Sequence, residues 1–336
     1  MAVMLGYETL RGALSMRDVI DLLERAFARE ATGSAGATVV SPKFVTDFQS
    51  GSMRILFATD EQAGYAAMKA YHSIKGTGTR YVVSLYRLKD GELLALLDGQ
   101  LITDLRTGGC SGVIARKVAI AGPVSAGVVG SGNQARMQLE CLASVYTLGS
   151  VAVYSPTASH REHYAREMSR QLGVTITAVD TIEAAVRGKQ VVASASGART
   201  AEPILRGEWL TECRLLCAVG NTRKQFCEAD VACFRNASLV AVDTLHALEE
   251  AGELRQAVAA GVLPESRRAT LGQIVTGAAS IPRDGLVVFK SVGSALQDLA
   301  LASRYYELLG AKPELARNDD VGRLRQPAWS VAPGGR

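Results

Sequence analysis

The stretch Gly130-Ser131-Gly132-Asn133-Gln134-Ala135 constrains the fold of this chain more than any other segment. It follows the β-branched run Ser125 to Val129 (SAGVV) and opens the helical pattern Asn133 to Tyr146, so a G-x-G-x-x-A turn joins a strand to a helix. In that setting the first glycine permits a tight turn and the second lets backbone approach a pyrophosphate. The small third residue lets helix and strand lie close, with the phosphate meeting the helix N-terminus. Such a turn predicts a dinucleotide site, and with it a parallel sheet flanked by helices.

The surrounding chain fits. Val151 to Tyr154, Val174 to Val179, Gln190 to Ala193, Leu215 to Val219, Leu239 to Val242 and Leu286 to Lys290 read as further short strands. Helical patterns at Ser159 to Leu172 and Thr181 to Arg187 fall between them, which is the βαβ alternation of a doubly wound α/β fold. Before residue 120 the pattern changes. Met16 to Ala31 is a helix opened by Ser15 as N-cap, and Tyr81 to Arg87 with Leu93 to Leu97 forms a hairpin around Lys89-Asp90-Gly91, so a separate α+β unit is expected there. Ala295 to Leu309 is an amphipathic helix, and the tail from Ala311 has no periodicity and reads as a docked arm or a disordered segment.

Composition removes several classes of function. The 336 residues are 48% hydrophobic and 21% charged, which excludes disorder and fibrous folds. The net charge, 37 − 33 = +4, comes without a long basic run, so neither nucleic acid nor an anionic membrane is an expected partner. No apolar stretch has the length of a signal peptide core or a membrane span, and a cytoplasmic location is expected. Cys110, Cys141, Cys213, Cys217, Cys227 and Cys233 contain no C-x-x-C pair, which favours buried thiols over a zinc site and leaves metal out of the expected cofactors.

Cofactor choice is read at the end of the second strand, where an acid would hold the ribose hydroxyls of NAD. Here VAVY ends in Ser155-Pro156-Thr157. Hydroxyls of Ser155 and Thr157, with charge from His160 or Arg161, suit a 2′-phosphate, so NADP(H) is expected over NAD(H). His160 and Arg161 as solvated helix residues is the competing reading.

The segments LLALLDGQLITDLRTGGCSGVIARKVA (93–119), GVVGSGNQARMQLE (127–140) and VVFKSVGSALQDLALA (287–302) resemble the ornithine cyclodeaminase and mu-crystallin family, with shorter echoes in TAEPILRGEWL and AVGNTRKQFCEAD. The similarity runs from about residue 40 to 310 in the family's order. It implies a homodimer whose substrate and dimerisation domain, residues 1–119 plus 295–336, surrounds an inserted Rossmann domain, residues 120–294. It also implies NAD(P)-dependent hydride exchange at the α-carbon of a small 2-imino or 2-amino acid. A cyclodeaminase that retains its NAD and a non-catalytic NADP-dependent binding protein are the alternatives within the family.

Such chemistry needs cations for the carboxylate and a proton donor at the imine nitrogen. Lys69 in MKAYH and Arg106 in LRTGG match the family's lysine and arginine. Arg106 can hold a carboxylate through two parallel hydrogen bonds. Lys69, desolvated near other cations, can have its pKa lowered enough to shuttle the proton. Lys43, in SPKF, stands where the family often has arginine, with a structural role equally open, and His72 is a further pocket candidate against a simple hydrogen-bonding role. Asp298 matches a family residue and reads as packing or as a substrate-amine contact. Val219, Asn221, Ser291 and Gly293 complete the candidate cofactor contacts with Gly130 to Ala135. Where cyclodeaminases carry an aspartate, this chain has Asn221 and Thr222. A neutral amide cannot accept a proton, which favours imine reduction over ammonia-eliminating cyclisation. The 295–309 helix and the 82–97 hairpin are the expected dimer surface.

Overall fold

The computed structural model describes residues 2–34, 36–312, 315 and 317–318. Its strands form two sheets. The first contains β1 (Ala2–Leu5), β2 (Thr38–Val40), β3 (Phe44–Phe48), β4 (Gly51–Asp60), β5 (Tyr65–Ile74), β6 (Gly78–Arg87) and β7 (Leu93–Asp98). β4, β5, β6 and β7 form an antiparallel meander, and β1 joins β7 in parallel. Of the chain from Ala311 on, little is described; Arg317–Asn318 pairs antiparallel with Ala2 and Val3, and the expectation for the rest of the tail falls outside the described residues.

The second sheet is parallel throughout. Its strands are β8 (Val124–Val129), β9 (Leu148–Tyr154), β10 (Ile176–Ala178), β11 (Val191–Ser194), β12 (Leu215–Ala218), β13 (Ala237–Val242), β14 (Arg268–Thr270) and β15 (Leu286–Lys290), in the order β10-β9-β8-β11-β12-β15-β13-β14. The order reverses between β8 and β11, and the G-x-G-x-x-A turn leaves the C-terminal end of β8 at that point. This is the doubly wound α/β fold, with its ligand crevice at the switch point. β14, only three residues long, carries too little pattern to be read from sequence.

Three helices join the two sheets. The helix Met16–Thr32 begins in a capping box: Ser15 Oγ accepts from the Asp18 N–H at 3.2 Å, and the Asp18 carboxylate accepts from the Ser15 N–H at 2.9 Å. The helix Gly99–Lys117 is capped by Asp98, whose carboxylate accepts from the Gln100 and Leu101 N–H groups at 3.0 Å each. Its glycines set how close its neighbours lie. A Cβ on Gly109 would sit 2.6 Å from Val19 Cγ1 and one on Gly112 2.3 Å from Ile20 Cδ1, while one on Gly108 would meet the Met137 carbonyl oxygen at 2.9 Å. The glycine-rich run TGGCSG thus lets this helix lie against Met16–Thr32 on one side and Asn133–Val145 on the other. One continuous apolar core runs from Val3 and Leu85 of the first sheet, through Ile20 and Ile114, to Leu215 and Phe289 of the second.

The helix Ala295–Leu309 departs from expectation. It is buried at eleven of its fifteen positions and packs on β4, β5 and β6, so it is an interior element and not a dimer surface. The exposed apolar surface lies on the far side of the first sheet. Register places Met4, Phe44, Phe57, Met68 and Val82 on that outer face, each between 38% and 55% exposed. The inner face, with Val3, Leu56, Ala67, Val83 and Leu97, is buried against the helices. No helix among the described residues is long and apolar enough to cross a membrane.

Candidate active site

A cavity of about 280 Å³ lies between the inner face of the first sheet and the C-terminal edge of the second. Lys69 reaches it from β5. Its Nζ donates to the Asp298 carboxylate at 2.7 Å and to Thr103 Oγ at 3.3 Å, and it is 98% shielded from solvent (2% exposed). Arg106, two residues beyond Asp104 on the helix Gly99–Lys117, donates from an Nη to Gln297 Oε1 at 3.1 Å, and its Nε lies 3.5 Å from Asp298. One buried carboxylate therefore faces two buried cations. Arg106 Nε makes no hydrogen bond among the described residues, so the guanidinium retains donor capacity for a substrate carboxylate.

Burial, above all, holds the Lys69 ammonium down to about 7, with the charges of Arg106 and Lys43 acting in the same direction and Asp298 opposing them. The expected lowering is therefore present, and the group can exchange a proton near neutral pH. Asp298, left between packing and substrate contact by its sequence, faces Lys69 and Arg106.

A second layer fixes Arg106. Asp243, at the end of β13, is buried and accepts from Ser291 Oγ at 2.6 Å, from the Gly293 N–H at 2.8 Å and from Gln297 Nε2 at 2.9 Å. Gln297 is thereby oriented with its oxygen toward Arg106. Gly293 has φ +83°, a conformation that favours glycine, and a Cβ there would lie 2.6 Å from an Arg106 Nη and displace the guanidinium. Sequence inspection did not find Asp243 or Gln297, because nothing local marks them.

Asp104 was also missed, although it adjoins Arg106. Its carboxylate lines the cavity and accepts from Gln134 Nε2 at 2.8 Å. Burial raises it to about 6 against the opposing effects of Gln134 and Arg106.

Other candidates are placed differently. Lys43 lines the cavity mouth, where Nζ pairs with Glu250 at 2.7 Å and donates to the Val292 carbonyl at 3.1 Å. His72 is three residues from Lys69 on a strand, so it points to the opposite, outer face and is exposed. The period of a strand would have shown this had β5 been recognised. Val219, Ser291 and Gly293 line the cavity. Asn221 does not: its amide donates to the Phe226 carbonyl and to Glu253 at 3.3 Å, pinning the loop after β12, while Thr222 faces the cavity. At this position, then, the loop offers the cavity a hydroxyl and no carboxylate.

A separate cavity of about 450 Å³ is lined by Gly130, Ser131, Gly132, Arg136, Ser155, Thr157, His160, His163 and Ser196. Gly130 has φ +122°, and a Cβ would lie 2.5 Å from the Ala195 carbonyl oxygen. Gly132 caps the helix Asn133–Val145 without any side-chain hydrogen bond, and a Cβ on it would meet open space. First-turn N–H groups are thus available to an anion, and the residues present fit a dinucleotide pyrophosphate. Ala135 is buried under Tyr164, whose hydroxyl donates to its carbonyl at 2.9 Å. Ser131 and Ser155 hydroxyls are 3.0 Å apart. Arg161 is turned away from the cavity, bound to the Ser155 carbonyl at 3.1 Å and paired with Asp180, so the basic side chains on the wall are those of His160, His163 and Arg136, the last paired with Glu167 at 2.6 Å.

Comparison with known proteins agrees with this geometry. A family model described as the ornithine cyclodeaminase/mu-crystallin family matches residues 2–312. Alanine dehydrogenase from Archaeoglobus fulgidus is 30% identical over 91% of this chain and 94% of its own. A structure of Thermococcus litoralis Δ1-pyrroline-2-carboxylate reductase in complex with NADH and L-proline superimposes with TM-score 0.85 at 28% identity, over 91% of this chain and 97% of that one. An archaeal alanine dehydrogenase dimer with bound NAD superimposes with TM-score 0.83 at 26% identity, over 91% and 95% of the two chains.

Proposed function

The chain belongs to the ornithine cyclodeaminase/mu-crystallin family, and from that premise we propose that Lys69 and Arg106 process the α-carbon of a small amino or imino acid. The protein is an NAD(P)-dependent oxidoreductase that reduces a 2-imino acid to the amino acid, or runs the reverse oxidation. The carrying observation is the buried Lys69, Asp298 and Arg106 cluster, beside the strand ends that form the dinucleotide crevice.

A bound nicotinamide ring would supply or accept the hydride at the α-carbon. Val219, Gly220 and Ser291 are the residues at the strand ends that would hold the ring. Arg106, fixed by Gln297 and Asp298, presents its planar fork to the substrate carboxylate. Lys69 Nζ donates its proton to the imine nitrogen as the α-carbon accepts hydride, leaving an amine. In the reverse direction the neutral lysine takes that proton back. Burial keeps water from competing for either group.

We assign residues 120–294 to dinucleotide binding and the remainder to substrate and subunit contacts. NADP(H) is preferred over NAD(H), a reading supported by the missing acid at Ser155 and by His160, His163 and Arg136 on the wall of that cavity. The outer face of the first sheet, with Phe57, Met68 and Val82, is the homodimer surface, and a stable monomer at micromolar concentration in sedimentation would rule this out.

The experiment is turnover with cyclic and linear 2-imino acids. Oxidation of NAD(P)H in step with amino acid formation is the expected result. Ammonia release from ornithine without net cofactor consumption would replace it with the cyclodeaminase reaction.

A further inference from the structure

The catalytic cavity continues past Lys69. On the inner face of the first sheet Arg54 stands opposite Tyr71, and Leu56 stands opposite Lys69. Arg54 is therefore one side-chain row, about 7 Å of strand, along from the catalytic lysine. It lines the inner cavity and also an adjoining one of about 450 Å³ that takes in Lys43, Asp47, Arg223 and Glu249.

Its guanidinium lies 5.5 Å from the centre of the Tyr71 ring, and its side chain has no ion pair or hydrogen bond among the described residues. Arg223 stands nearby in the outer cavity, likewise without a side-chain ion pair among them. Burial, with the like charges of Arg54 and Arg199, pushes Arg223 below its ordinary value, and Asp47 is the carboxylate that offsets them. Glu250 is occupied by Lys43 at 2.7 Å. Like charges held together in a partly buried wall cost energy that an incoming anion would recover.

We propose that the substrate carries a second carboxylate: an acidic 2-imino or 2-amino acid whose α-carboxylate meets Arg106 and whose side-chain carboxylate meets Arg54, with Arg223 adding longer-range attraction. This assignment rests on the inner cavity being the imine-reduction site. It explains why the substrate end carries cations in two places when an alanine-like side chain would need them in one. Tyr71, stacked on Tyr81 at 5.0 Å between ring centres, forms an aromatic floor under Arg54 and limits its rotamers.

Two measurements test it. In the first, each 2-oxo acid loses water with ammonia to form the imine, which takes hydride from NAD(P)H and a proton from the enzyme. Oxaloacetate and 2-oxoglutarate are compared with pyruvate and 2-oxobutyrate. The expected kcat/KM for the dicarboxylates exceeds that for the monocarboxylates by about tenfold or more, the scale of one charged hydrogen bond. Arg54→Gln should collapse that ratio by about the same factor, Arg54→Lys should restore part of it, and Arg223→Gln should lower it by a smaller factor. A ratio at or below one in the wild type, or a ratio that Arg54→Gln does not change, overturns the proposal. The second measurement is calorimetric binding of succinate and butyrate to the protein with NAD(P)H. Tighter, Arg54-dependent succinate binding supports the acidic site even if no imine is turned over, in which case only the reductase reading fails. Equal binding of the two overturns the acidic site whatever the turnover result.

Discussion

The two ends of the site are assembled in opposite ways. At the dinucleotide end, six consecutive residues from Gly130 to Ala135 do most of the work, and they act through backbone: a positive φ, an uncapped helix start and a small residue under Tyr164. At the substrate end, charged side chains arrive from β5, from the helix Gly99–Lys117 and from the helix Ala295–Leu309. Lys69 and Asp298 are 229 positions apart, and Arg106 and Gln297 are 191 apart. Backbone anion sites depend on local conformation, so they tolerate distant change. A buried charge cluster depends on every member, because removing one leaves its partners uncompensated.

The sharpest test of this contrast is Lys69→Met, which keeps much of the volume and removes the proton. It should lower kcat by about 10² to 10⁴ while NADPH binding survives. Retention of most of the activity across the pH range would move the proton donor elsewhere. Asp298→Asn should destabilise the fold by about 3 kcal/mol in urea unfolding, since the buried Lys69 then loses its paired carboxylate. A change below about 0.5 kcal/mol would mean that solvent reaches the cluster.

Arg106→Lys retains charge and loses the fork. A rise in KM of about tenfold is expected, with a smaller change in kcat. The pH profile gives a further check, with the sign set by the lowered Lys69. Imine reduction needs the ammonium, so its kcat/KM should fall as pH rises through about 7. Amino acid oxidation needs the neutral amine and should rise through the same range. Parallel profiles in the two directions would take Lys69 out of the proton transfer. The smallest effect belongs to the dinucleotide end: His160→Gln with His163→Gln should weaken NADPH severalfold and leave NADH nearly unchanged, as read by fluorescence titration. Equal weakening of both would assign the pair to helix stability instead.

How much of this was legible follows from how each part is encoded. The G-x-G-x-x-A turn, β15 and the helix Ala295–Leu309 were readable because each is a local pattern with a fixed period. Lys69 and Arg106 were found through family resemblance, since a lone lysine or arginine carries no local signal of its burial. His72 was placed with Lys69 by nearness in sequence, and strand alternation sends it to the other face. Asn221 was taken as a cofactor contact, whereas its amide closes its own loop. Arg161, adjacent to the right helix end, is turned toward Asp180. Asp104, Asp243 and Gln297 lay beyond reach, because their meaning comes from partners on other elements.

Sequence by itself determined that a parallel, doubly wound sheet would present a glycine turn to a dinucleotide, because tight turns, helix starts and apolar periods are properties of contiguous residues. Tertiary structure alone decided that Asp298 would face two cations, that Asp243 would hold Gln297 against Arg106, and that Arg54 would stand beyond Lys69 without an ion pair among the described residues. Those outcomes depend on the register of β4 against β5 and on the close seating of the glycine-lined helix. Charge interactions act through space at distances set by packing, and no spacing along the chain encodes them.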